Sequence, residues 1–106
     1  MKYNILMTES AEKDIAQAVL YISEELKNPS AANDLLNIIK DRLTTISEFP
    51  FAFGLCGDIV LNSAGIRFIE VNNYLLFYRV KEDQKNLIIE RFLYNKRDWE
   101  TIFKNM

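Results

Sequence analysis

The chain has 106 residues, 49% of them hydrophobic, with 13 Lys plus Arg against 15 Asp plus Glu, the size and composition of one globular domain rather than of a fibrous or disordered chain. A formal net charge of −2 excludes any argument from bulk charge for a nucleic-acid or anionic-membrane binder. The absence of His and the single Cys remove Ser-His-Asp and Cys-His catalysis, His-containing zinc sites and any intrachain disulfide.

Residues 3–7 are short and mostly apolar, and Thr8 or Ser10 can cap a helix beginning at either, so a strand is expected to lead into a helix. No apolar run reaches the roughly 20 residues of a membrane span. The amino end, MKYNILMTESAEKD, turns acidic where a signal peptide would stay hydrophobic, so a cytoplasmic protein with no membrane partner is expected. Ala11, Ile15, Val19, Ile22 and Leu26 recur at steps of three and four and place one apolar stripe on a helix from about Ser10 to Lys27. Glu9, Glu12 and Asp14 read as its solvated side. Asn28 and Pro29 stop it, and Ser30 opens a second helix, with Ala32, Leu35, Leu36, Ile39, Leu43 and Ile46 in the same period up to Phe49-Pro50. The two form an antiparallel hairpin.

Residues 51–64, FAFGLCGDIVLNSA, show no sustained period and read as a loop with a short strand near Ile59–Leu61. Its GLCG is no phosphate loop, since no Gly-Lys-Ser/Thr comes after it, and Cys56 has no His to activate it. From Gly65 the pattern becomes β-branched and aromatic: residues 66–71, 74–80 and 87–94 are three antiparallel strands, turned at Asn72-Asn73 and over residues 81–86. Asn95 then caps a last helix anchored by Trp99, Ile102 and Phe103. The expected order is β-α-α-β-β-β-α, an α+β domain spanning residues 1–106, with the amino-terminal strand and helical hairpin packed on a small antiparallel sheet.

A two-residue turn at Asn72-Asn73 pairs Val71 with Tyr74, Ile69 with Leu76 and Arg67 with Tyr78 on one face, leaving Phe68, Glu70, Leu75, Phe77 and Arg79 on the other. Neither face is simply polar. One should receive the helical hairpin, and the other should be partly exposed and open to a partner's apolar segment; alternation does not choose between them.

Two constellations could carry chemistry. Arg67, Arg79 and Arg91, one on each of three successive strands, either form a basic strip continued by Lys96 and Arg97, able to hold phosphate, or pair with Glu70, Glu90 and Asp98. Tyr74, Tyr78 and Tyr94 either stack bases and supply a proton or are half-buried packing residues. Trp99 is a core or interface anchor. No pattern calls for a cofactor or metal.

Three stretches, together with the order of elements, resemble the RelE/ParE superfamily of type II toxin–antitoxin toxins: SAEKDI at residues 10–15, GIRFIEVNNYLLFYRV at 65–80 and LIIERFLYNKRDW at 87–99. The resemblance implies a toxin of a plasmid-stabilisation type of module, neutralised by a cognate antitoxin and meeting operator DNA only through that antitoxin. The superfamily divides between ribosome-dependent mRNA endoribonucleases and ParE-like proteins that poison DNA gyrase. Arg67, seven residues before Tyr74, resembles the ParE-type strand. Phe68, Glu70 and Leu75 stand where RelE-like enzymes tend to carry Lys or Arg, and Tyr94 stands where many relatives have His. The ParE-like branch, acting by protein contact on gyrase, is therefore expected. Arg67, Tyr74, Tyr78, Arg79, Arg91, Lys96, Arg97 and Trp99 are its candidate target- or partner-binding residues. For a nuclease, acting on mRNA in the ribosome, the catalytic candidates are Arg67, Arg91 and Tyr94. A non-toxic binding module is the remaining alternative.

Overall fold

The computed structural model describes residues 2–54 and 65–95. Strand β1 (Asn4–Met7) leads into helix α1 (Glu9–Leu20), which continues as a π-helical turn over Tyr21–Glu25; helix α2 (Pro29–Glu48) comes next, then strands β2 (Arg67–Val71), β3 (Tyr74–Lys81) and β4 (Asn86–Tyr94). The loop strand expected near Ile59–Leu61 and the helix expected after Asn95 lie outside the described residues. Among the described residues, no helix is long and apolar enough to cross a membrane.

Thr8 is the cap of α1. Its hydroxyl oxygen accepts the Ala11 N–H at 3.0 Å while its O–H donates to the Glu90 carbonyl at 2.9 Å, which fastens the helix start to β4. The helix widens at its end, where the Leu26 N–H reaches back to the Tyr21 carbonyl, and Lys27 then turns left-handed at φ 51. Asn28, not Ser30, caps α2: its side chain accepts the Ala31 N–H and Pro29 occupies the first helical position. Proline suits that position because its missing N–H would find no partner there anyway.

The sheet runs β1-β4-β3-β2. The β2–β3 hairpin has the register expected of its turn, Val71 opposite Tyr74, Ile69 opposite Leu76 and Arg67 opposite Tyr78, with Asn72 at φ 54. Strand β1 joins parallel to β4, Asn4 beside Asn86 through Met7 beside Ile89, so the sheet is mixed rather than wholly antiparallel. On β4 the register passes over Glu90: Phe77 faces Arg91 and Tyr78 faces Ile89. Such a bulge re-aims the residues beside it.

The helices cover the face that carries Ile69, Val71, Leu76 and Tyr78. These pack with Leu87, Ile89 and Phe92 against Ala11 and Ala18 of α1 and Leu35, Ile39 and Ile46 of α2. The opposite face holds a second cluster of Ile66, Phe77 and Leu93, all buried, with Phe68 and Leu75 against them. Its centre is therefore not the open apolar surface that strand alternation suggested, since Phe77 is 0% exposed. On α1 the buried line is Ala11, Asp14 and Ala18, while Leu26 at the end of the expected stripe is 56% exposed. Two alanines at the contact let the helix lie close to the sheet.

Candidate functional site

The three strand arginines do not form a strip. Arg67 sits on the helix-facing side opposite Tyr78, and its guanidinium donates to the Phe53 carbonyl at 2.5 Å and lies 5.1 Å from the centre of the Phe51 ring. Arg79 alternates with Tyr78 and Val80 and so occupies the other face, where its Nε donates to Glu90 Oε1 at 2.7 Å. Arg91 is drawn to α1 by Asp14, with Nε–Oδ2 at 2.6 Å and Nη2–Oδ1 at 2.9 Å. The basic-strip reading is thus replaced by separate internal pairings, because strand alternation and the bulge at Glu90 send the three side chains in different directions. Lys96, Arg97 and Trp99 lie outside the described residues.

Asp14, expected on the solvated side of α1, is 8% exposed. Besides gripping Arg91 with both oxygens, its Oδ2 accepts the Phe92 N–H at 3.0 Å. Strand β1 ends beside Ile89, and from there the edge of β4 is satisfied by Thr8 and Asp14 instead of a strand. The hydrogen bond to Asp14 holds the Arg91 guanidinium above its ordinary range, against the lowering effect of burial. The signal in the sequence was position: Asp14 is three residues after Ala11 and four before Ala18, on the same helical face as both.

Tyr78 is fully buried, and its hydroxyl donates to the Pro50 carbonyl at 2.9 Å. It ties down the chain leaving α2 and cannot face a partner. Burial pushes its phenol up to about 12, with Arg67 opposing only in part. The resulting contribution to stability is complete below the ordinary tyrosine value near 10 and is lost as pH rises toward 12, because the unfolded chain releases that proton first. Tyr78→Phe should lower the unfolding free energy at pH 7, measured by urea titration, by about 1–3 kcal/mol through the unmet Pro50 carbonyl, yet lose less of its remaining stability between pH 10 and 12 than wild type. Equal alkaline losses would contradict this account.

The other two tyrosines come together. Tyr74 stacks on Phe92, centroids 4.8 Å apart and 13° from parallel, and meets Tyr94 edge-on at 5.7 Å and 76°. With Tyr21, Ile22, Leu26 and Asn73 they line a cavity of about 710 Å³ between the end of the first helix and the β2–β3 turn. Burial raises the Tyr74 phenol above its ordinary value, and the neighbouring Tyr94 and Tyr21 raise it further. The Tyr74 phenol therefore stays a neutral hydrogen-bonding group near pH 7. Tyr21 was missed from the sequence because it falls one residue off the apolar stripe that ends Ile22, Leu26; the π-helical turn presents it at the cavity.

No curated protein sequence matches the chain. Among solved structures it is similar to a chain of the chromosomal ParDE toxin–antitoxin system from P. aeruginosa, with TM-score 0.69 and 17% identity over 88% of this chain and 96% of that one. It is also similar to a chain of the toxin–antitoxin complex RelBE2 from Mycobacterium tuberculosis, with TM-score 0.56 and 15% identity over 89% of this chain and 99% of that one. At these identities the likeness is one of fold. The sequence family described as the ParE toxin of the type II toxin-antitoxin system parDE matches residues 5–99. With nearly the whole chain inside that match, this protein belongs to the ParE toxin family of type II toxin–antitoxin systems.

Proposed function

We propose that this toxin arrests growth by binding DNA gyrase, without cutting RNA, and is silenced by a cognate antitoxin. One observation carries the contact mechanism: Arg67, Arg79 and Arg91 are held by three different internal partners. Endonucleolytic attack by a 2′-hydroxyl needs cationic groups gathered on one phosphate to stabilise the charge that develops in the transition state. Three arginines aimed apart do not make such a group. Membership of the ParE family supports gyrase as the target and an antitoxin as the partner, and the solved neighbours are themselves named as parts of toxin–antitoxin systems.

Tightly controlled expression without antitoxin in a bacterial host tests this, with plasmid supercoiling and mRNA ends sampled in one culture before growth stops. Lost supercoiling or DNA breaks with intact transcripts is the expected result. Cuts phased to the ribosomal A site with normal supercoiling would overturn it in favour of an endoribonuclease. Unimpaired growth with folded protein present would leave only a binding module.

A further inference from the structure

We propose that the tyrosine-walled cavity at the end of the first helix is a cage for a lysine or arginine side chain of the antitoxin. The partner's identity rests on the proposed toxin function; the chemistry of the cage rests on the cavity itself. Tyr74 is pinned flat against Phe92, and Tyr94 stands nearly perpendicular to it, so two walls meet at close to a right angle. Tyr21, 54% exposed, is the third aromatic lining residue, and Leu26, 56% exposed, lies beside it. Aromatic faces carry negative potential, and a cation enclosed by several of them is held by their quadrupoles.

The surrounding charge favours the same occupant. The helix that delivers Tyr21 ends there, with its carbonyl ends carrying partial negative charge. Glu24 and Glu25 are exposed on that last turn, which has no basic residue of its own; Lys27, just beyond, offsets one of the two carboxylates. A phosphate would be repelled here, which disfavours nucleic acid. A wholly apolar occupant would leave the phenol groups of the lining without the polar partner that buried tyrosines usually find. A lysine or arginine answers both demands, because its methylene stem packs on Ile22 and Leu26 while its head lies among the rings. A volume of about 710 Å³ exceeds one such side chain, so the residues flanking the cation enter as well.

The full-length protein, labelled with carbon-13 in its tyrosine rings, is titrated with tetramethylammonium chloride at constant ionic strength and, separately, with tert-butanol, a neutral group of similar size. Saturable shifts are expected at Tyr21, Tyr74 and Tyr94 but not at Tyr3 or Tyr78, with tert-butanol at least ten times weaker. Tyr21→Leu, a change at an exposed position that keeps the site apolar, should weaken the response severalfold. An unsaturable response, or equal binding of the neutral probe, overturns the cage. In the complex with the cognate antitoxin the titration should be flat, and should be restored when one antitoxin Lys or Arg is replaced by Met. A cage still open in that complex, or one that no such replacement reopens, overturns the assigned occupant. The probe requires neither gyrase nor antitoxin, so failure of the cage leaves the toxin reading standing, and failure of that reading leaves the free-protein titration unchanged.

Discussion

Asp14→Ala is expected to destabilise the fold by about 3–5 kcal/mol, the usual range for removing one member of a buried ion pair. The carboxylate grips Arg91 at 2.6 and 2.9 Å and also takes the Phe92 N–H, so its removal takes two charge-assisted hydrogen bonds from the guanidinium and leaves a backbone donor unmet. Urea unfolding monitored by circular dichroism measures the loss. Replacing both members, as in Asp14→Leu with Arg91→Met, should recover much of it, because an apolar pair in place of a buried ion pair is often neutral or better. The Phe92 N–H would still be unmet, at about 1–3 kcal/mol. This double variant also separates fold from function at Arg91. If the variant is folded and still arrests growth, Arg91 is a structural residue; arrest abolished in a folded double variant would put Arg91 in the toxic mechanism and count against the contact reading.

Phe92→Ala should cost about 3–5 kcal/mol, the range for emptying a buried phenylalanine site. In a domain of this size that lowers the melting temperature by roughly 15–30 °C. Phe92 is 2% exposed, belongs to the main core and carries the Tyr74 ring on its face. Its loss therefore reaches the cavity as well as the core: Tyr74 loses the surface that orients it, and its ring resonances should move while those of Tyr3 do not. Phe92→Leu, which keeps most of the volume, should cost well under half as much. A loss below about 1 kcal/mol in the alanine variant would mean that the core closes around the gap, contrary to the close packing of Phe92 in it.

What the sequence by itself determined about this protein is what short-range physics controls. Apolar residues at steps of three and four made the two helices, and Asn28-Pro29 divided them. Asn72-Asn73 set the β2–β3 register residue by residue, since a two-residue turn leaves no freedom in pairing. The RelE/ParE resemblance was likewise legible in three linear stretches, and the match over residues 5–99 agrees with it. The tertiary structure decided whatever depends on which surfaces meet. Both faces of the hairpin are apolar, so only docking of the helices chose the side of Ile69, Val71 and Leu76 as the main core. The parallel pairing of β1 with β4 joins residues more than 80 positions apart, and no local signal specifies it. Asp14 looked solvated because its partners, Arg91 and the Phe92 N–H, lie 77 and 78 residues away. The arginines looked like a strip because one on each strand suggests a row, but a row requires a common face and an unbroken register. The bulge at Glu90 breaks that register, and alternation sends Arg67 and Arg79 to opposite sides. Helix and turn energies are settled within a few residues, whereas the direction of a side chain and the partner it meets are settled only when distant segments close on one another.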